Sequence, residues 1–192
     1  MGKGRLEAFS DGVIAVIITI MVLEMKVPHG ADLEALRHVL PTFFSYVLSF
    51  VYVGIYWNNH HHLMHTVKRV AGAIMWANLH LLFWLSLIPF TTGWAGENHF
   101  AAWPTALYGF VLFMAGVAYM LLERAIIACH GGEASMLASA VGSDRKATIS
   151  AVGYAAGVLV AFAQPLVSNA IYAGIALMWL IPDRRIQSRI EE

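Results

Sequence analysis

The chain has 192 residues, of which 59% are hydrophobic and only 12% charged, and twelve Lys and Arg balance twelve Asp and Glu. A soluble domain of this size needs far more polar surface, and a net charge of zero offers no basic footprint for nucleic acid. One cysteine, Cys129, excludes an internal disulfide and any multi-cysteine metal site.

Mean hydropathy is +0.65, and the apolar residues fall in runs near membrane-span length rather than in the short runs of a soluble core. This predicts an all-α membrane protein embedded in a lipid bilayer, with residues 1–192 forming one six-span domain. The first span is expected over residues 9–27. Lys3 and Arg5 ahead of an apolar run resemble a secretory signal, but no small-residue cleavage site follows, so the run is read as a span. The second span is expected over 40–59, the third over 70–94, the fourth over 103–122 and the fifth over 147–163. A short sixth span is expected over 168–181, with Pro165 and Asn169 in a tight turn before it and Pro182 and Asp183 ending it. The loop from Gly131 to Asp144 is small and polar.

Basic residues support an even span count. Lys3, Arg5, Lys68, Arg69, Arg124, Arg145, Lys146, Arg184, Arg185 and Arg189 all fall on one side, against Lys26 and Arg37 on the other. The positive-inside rule then places both termini in the cytoplasm. The outer side carries Glu24, Asp32, Glu34 and Glu97, and an acidic vestibule would concentrate cations; positive-inside placement alone also leaves acids outside. In the fifth span, Gly153-x-x-x-Gly157 permits close helix contact.

On a wheel of 100° per residue, Gly12, Val16, Thr19, Ile20 and Leu23 share one face of the first span. Asp11, Ile14, Ile18, Met21 and Met25 share the opposite one. Such a stripe is what any membrane helix can show, and a lone Thr can bond back to its own helix. The polar start of the span is less ordinary, because a charge at bilayer depth is costly and usually faces a protein interior with a partner.

Four segments carry a pattern: Arg5-x-x-x-Phe9-Ser10-Asp11, Tyr56-Trp57-x-x-His60, Trp76-x-Asn78 and Leu87-x-Pro89-Phe90. The pattern resembles the transmembrane protein 175 family of potassium channels, and the first half of the chain carries it. Later spans match in hydropathy and layout. The resemblance implies a potassium-permeable cation channel of a prokaryotic plasma (inner) membrane, built as a homotetramer with the first helix of each subunit lining the pore. Val16, Ile20 and Leu23 map to its hydrophobic constriction and Thr19 to a threonine ring. Hydrophobic constrictions gate by dewetting, and hydroxyl rings partly replace an ion's water. Asp11 points away from the pore stripe and is expected to be a structural partner. Arg5 could pair with Asp11, with Glu7 or with neither. Trp57, His60, Trp76 and Asn78 are expected to join Ser10 and Asp11 in a network anchoring the pore helix. No cofactor is expected; K+ is the permeant ion.

Two alternatives stand beside this. His60, His61, His62 and His65 could ligate a metal in a membrane metalloenzyme, since neutral imidazoles suit iron or zinc. That chemistry needs several boxes and the chain has one cluster, so interfacial histidines at a helix end are the simpler reading of His61, His62 and His65. Asp11 could instead serve a proton-coupled transporter. No nucleophile or phosphate-loop motif points to other enzyme chemistry. No span repeats arginine, and no Thr-Val-Gly-Tyr-Gly filter occurs.

Overall fold

A computed structural model describes residues 2–130 and 145–180. The expected polar loop at 131–144, the stop at Pro182 and Asp183, and Arg184, Arg185 and Arg189 lie outside the described residues. The described residues form helices only: α1 Lys3–Leu23, α2 Leu33–Arg37, α3 Leu40–His65, α4 Gly72–Ser86, α5 Ile88–Glu97, α6 Ala102–Cys129, α7 Arg145–Val160 and α8 Pro165–Leu180.

Among the described residues, four stretches are long and apolar enough to cross a membrane: α1, α3, α4 with α5, and α6. The shorter α7 and α8 have 16 residues each. Within the described residues each covers about 24 Å at 1.5 Å per residue, against a hydrocarbon core about 30 Å thick; α7 begins and α8 ends where the described residues do. The third stretch is broken where the sequence suggests one continuous span. Leu87 separates α4 from α5, and Pro89 stands in the first turn of α5. Proline has no N–H and its ring crowds the carbonyl four residues back, so the helix restarts there.

Helix ends differ from expectation in a way that matters. The first helix begins at Lys3, not near Phe9, with Gly2 extended at its N-cap. Ser10 and Asp11 therefore sit two turns inside α1 rather than at its start. The helix of the second expected span, α3, continues to His65, so the histidine cluster forms its last turns. Pro165 does not mark a turn: it starts α8, where its fixed φ suits the first helical position. Asn169 lies inside that helix and donates to the Pro165 carbonyl at 2.9 Å.

The core runs between the helices. α1 packs on α3, α4 and α5, and α6 packs on α4, α5, α7 and α8. Ile14, Ile17 and Met21 of α1 are buried there with Val53, Leu81, Leu85, Ile88, Leu112 and Leu122. Several glycines set close approaches. A Cβ on Gly96 would stand 2.5 Å from the Thr42 Cα, so α5 lies backbone to backbone on α3. A Cβ on Gly157 would strike the Tyr172 ring, and one on Gly153 would reach Ile175. The small-residue pair of α7 thus seats α8.

Candidate functional site

α1 has one covered face and one open face. Ile14, Ile17 and Met21 are at most 3% exposed, while Val16, Ile20 and Leu23 are 54%, 42% and 77% exposed. Gly12 and Thr19 share the open face. The Thr19 hydroxyl donates back to the Val16 carbonyl at 2.9 Å. Its donor is thereby used within the helix, and its oxygen lone pairs remain on the open face. An open groove runs beside this face, lined by Gly12, Val16 and Ile20 on one side and Pro89 and Phe90 on the other, with Glu24 at one end.

Two hydrogen-bonded links through the motif residues tie the amino-terminal half of α1 to its neighbours. In the first, Ser10 Oγ donates to the Leu6 carbonyl at 2.9 Å. Asn78 Nδ2 of α4 donates to Ser10 Oγ at 2.9 Å. The Asn78 Oδ1 lies 2.7 Å from His60 Nε2 of α3. An amide oxygen only accepts, so Nε2 carries the proton and donates. Ser10, His60 and Asn78 are each at most 1% exposed, and every polar atom in this chain of bonds has a partner. Buried polar groups left unpaired are costly, so the three residues form an all-or-none joint among α1, α3 and α4.

The second link is separate. Trp57 Nε1 of α3 donates to Asp11 Oδ1 at 3.1 Å. Asp11 thus takes a donor from α3, and the α4 amide goes to Ser10 instead. The other motif residues stand apart from both links. Trp76 is 74% exposed and Phe9 49%. Arg5 is exposed and forms no ion pair among the described residues, whereas Glu7 pairs with Lys3 at 3.8 Å.

A third polar set was not anticipated. Ser49 Oγ lies 2.6 Å from Thr92 Oγ1 and 2.9 Å from Tyr108 OH, and Ser45 Oγ donates to the Thr92 carbonyl at 2.9 Å. It joins α3, α5 and α6 deep in the core. Its one sequence signal is the spacing Ser45-x-x-x-Ser49, which puts both hydroxyls on one helix face. The expected acidic vestibule is partly neutralised: Lys26 holds Glu97 at 2.7 Å and Arg37 holds Glu34 at 2.9 Å. Asp32 accepts from the Ala35 N–H as the N-cap of α2. Among the described residues, no three His, Cys, Asp or Glu side chains converge as a metal site, so the histidine cluster lacks the ligand set of a membrane metalloenzyme.

Residues 5–89 match the profile of the family described as endosomal/lysosomal potassium channel TMEM175. A potassium channel of Chryseobacterium sp. (strain P1-3) is 55% identical over 192 residues, covering all of both chains. The chain belongs to the TMEM175 family. The endosomal/lysosomal proton channel TMEM175 of Gallus gallus is 32% identical over 115 residues, covering 52% of this chain and 23% of that one. A solved structure, the lysosomal potassium-selective channel TMEM175 homologue from Chamaesiphon minutus, superimposes with a TM-score of 0.82 at 23% identity, covering 93% of this chain and 96% of that one. The all-helical TMEM175 fold is therefore shared. The family profile ends at Pro89, the proline that restarts the third stretch as α5. Both links of α1 through the motif residues fall within the matched residues.

Proposed function

We propose that this TMEM175-family chain is the subunit of a potassium-permeable cation channel in a prokaryotic plasma membrane, with six spans and both termini cytoplasmic. Four subunits surround the pore, and each contributes α1. The observation that carries this reading is the two-faced character of α1. One face is buried in the subunit and locked by Ser10, Asp11 and their partners, while Gly12, Val16, Thr19, Ile20 and Leu23 stand open along the other. A single such helix cannot enclose a pathway, and closed symmetry can.

Val16, Ile20 and Leu23 form the constriction, where branched side chains exclude water and raise the barrier to ions. Thr19 lies between them and presents hydroxyl lone pairs to a partly dehydrated cation. Ser10, Asp11, Trp57, His60 and Asn78 act behind this face by holding α1 in register, and none of them need touch the ion. Phe9 and Trp76, on exposed surface, suit subunit contacts.

The test is ion flux through liposomes holding the purified protein, with Ile20→Asn alongside. Passive potassium flux that rises in Ile20→Asn, with smaller sodium flux and no pH gradient required, is the expected result. Flux carried mainly by protons, or unchanged by Ile20→Asn despite verified insertion, would overturn it.

A further inference from the structure

The end of α3 carries imidazoles that the links to α1 do not use. His60 is buried, but His61, His62 and His65 are exposed. His61 and His65 are one helical turn apart and share a face. Their Nε2 atoms lie 3.1 Å apart, with ring centroids at 4.5 Å and planes inclined by 77°. Both lone-pair nitrogens therefore converge on one point beside the helix. Two neutral imidazoles satisfy this geometry by sharing one N–H···N bond. A metal ion satisfies it equally. With Zn–N bonds of about 2.0–2.1 Å, two ligand nitrogens stand about 3.3 Å apart in a tetrahedral site and about 2.9 Å apart at a right angle. The observed separation lies between these values.

We propose that His61 and His65 form a two-imidazole chelate for a divalent transition-metal ion of the zinc, nickel and copper class. The ion takes the place of the shared N–H···N bond: the donating ring moves its proton from Nε2 to Nδ1 through solvent, so both rings bind as neutral Nδ1–H tautomers, and water fills the remaining positions. Imidazole selects these metals, whereas magnesium and calcium prefer oxygen ligands. His62 is not part of the chelate: its ring meets that of His61 edge-on at a 5.7 Å centroid distance. The charged groups nearby are Lys3, whose Nζ donates to the His65 carbonyl at 3.1 Å, and its ion-pair partner Glu7. The His61 ring stacks on Trp57 at 6.2 Å, the residue that holds Asp11. A metal bound here therefore sits between two direct hydrogen bonds from α3 to α1, that of the Trp57 indole one turn before His61 and that accepted by the His65 carbonyl.

The experiment is calorimetric titration of Zn2+ into the full-length, tag-free protein in detergent, with His61→Gln, His65→Gln and His62→Gln compared. One ion per subunit is expected, with at least tenfold weaker binding in His61→Gln and in His65→Gln. Affinity close to wild type is expected in His62→Gln and in excess Mg2+. All three side chains are exposed, and equal melting temperatures in EDTA establish that the variants fold. Undiminished binding in both chelate variants, equal loss in His62→Gln, or no binding to the wild type would each overturn the proposal. The readout is independent of ion flux, so its failure leaves the channel reading untouched.

Discussion

The Asn78 side chain joins Ser10 at 2.9 Å through its amide nitrogen and His60 at 2.7 Å through its amide oxygen. One residue of α4 thus satisfies buried groups on both α1 and α3. No smaller or apolar side chain does this, because the joint needs a donor and an acceptor on one planar head.

Asn78→Leu should destabilise the subunit by about 1–3 kcal/mol, the usual cost of stranding a buried polar group such as the His60 N–H. Thermal unfolding in detergent measures it. An unchanged melting temperature would show that water takes over the role of the amide.

Asp11 accepts from the Trp57 indole, and an asparagine can accept as well. Asp11→Asn should therefore retain most assembled protein, while Asp11→Leu and Trp57→Phe should each reduce it. Size-exclusion chromatography of the purified variants reads this. A fully assembled Trp57→Phe channel with altered ion preference would move Asp11 into the ion path.

Thr19→Ala removes the open-face hydroxyl without disturbing the buried face of α1. It should lower the preference for potassium over sodium, and Thr19→Ser should largely restore it. Reversal potentials under biionic conditions decide the point. Equal values for Thr19→Ala and wild type would remove Thr19 from selectivity.

Gly96→Ala should cost about 1–3 kcal/mol through overpacking, because the new methyl meets the Thr42 backbone at 2.5 Å. Gly174→Ala, with nothing within 4 Å of the added carbon, should be neutral or stabilising by up to about 1 kcal/mol from helix propensity. Melting temperatures of the two variants give the comparison. Similar losses would show that α3 and α5 slide apart easily.

The Glu97 carboxylate holds the pKa of Lys26 above its ordinary 10.5, first by a hydrogen bond and then by charge. A base whose folded pKa is raised contributes stability that is complete below the unfolded value and lost as pH rises through the folded one. Stability should therefore be insensitive to this pair from neutral pH up to about 10 and decline above it. In Glu97→Gln that alkaline decline should shrink. Both side chains are solvent-exposed, so added salt should weaken the effect. A decline unaltered in Glu97→Gln would assign it to other groups.

Much of this protein was legible without coordinates. Long apolar runs fixed the helical membrane class, because a bilayer leaves the backbone few ways to satisfy its polar groups. Period-3.6 patterning separated the Val16, Thr19, Ile20 and Leu23 stripe from the Ile14 and Met21 face of α1, since side-chain direction follows directly from helix geometry. The Arg5 to Asp11 motif pointed to the TMEM175 family. Only the tertiary structure decided which partner each polar residue takes. Asn78 goes to Ser10 and Trp57 to Asp11, and Trp76 to neither, because those pairings depend on how α1, α3 and α4 rotate against one another. The Ser49, Thr92 and Tyr108 set, the break at Leu87 and the convergence of His61 with His65 were likewise hidden. Hydropathy records how far a residue prefers to leave water, and it carries no information on which neighbour waits there.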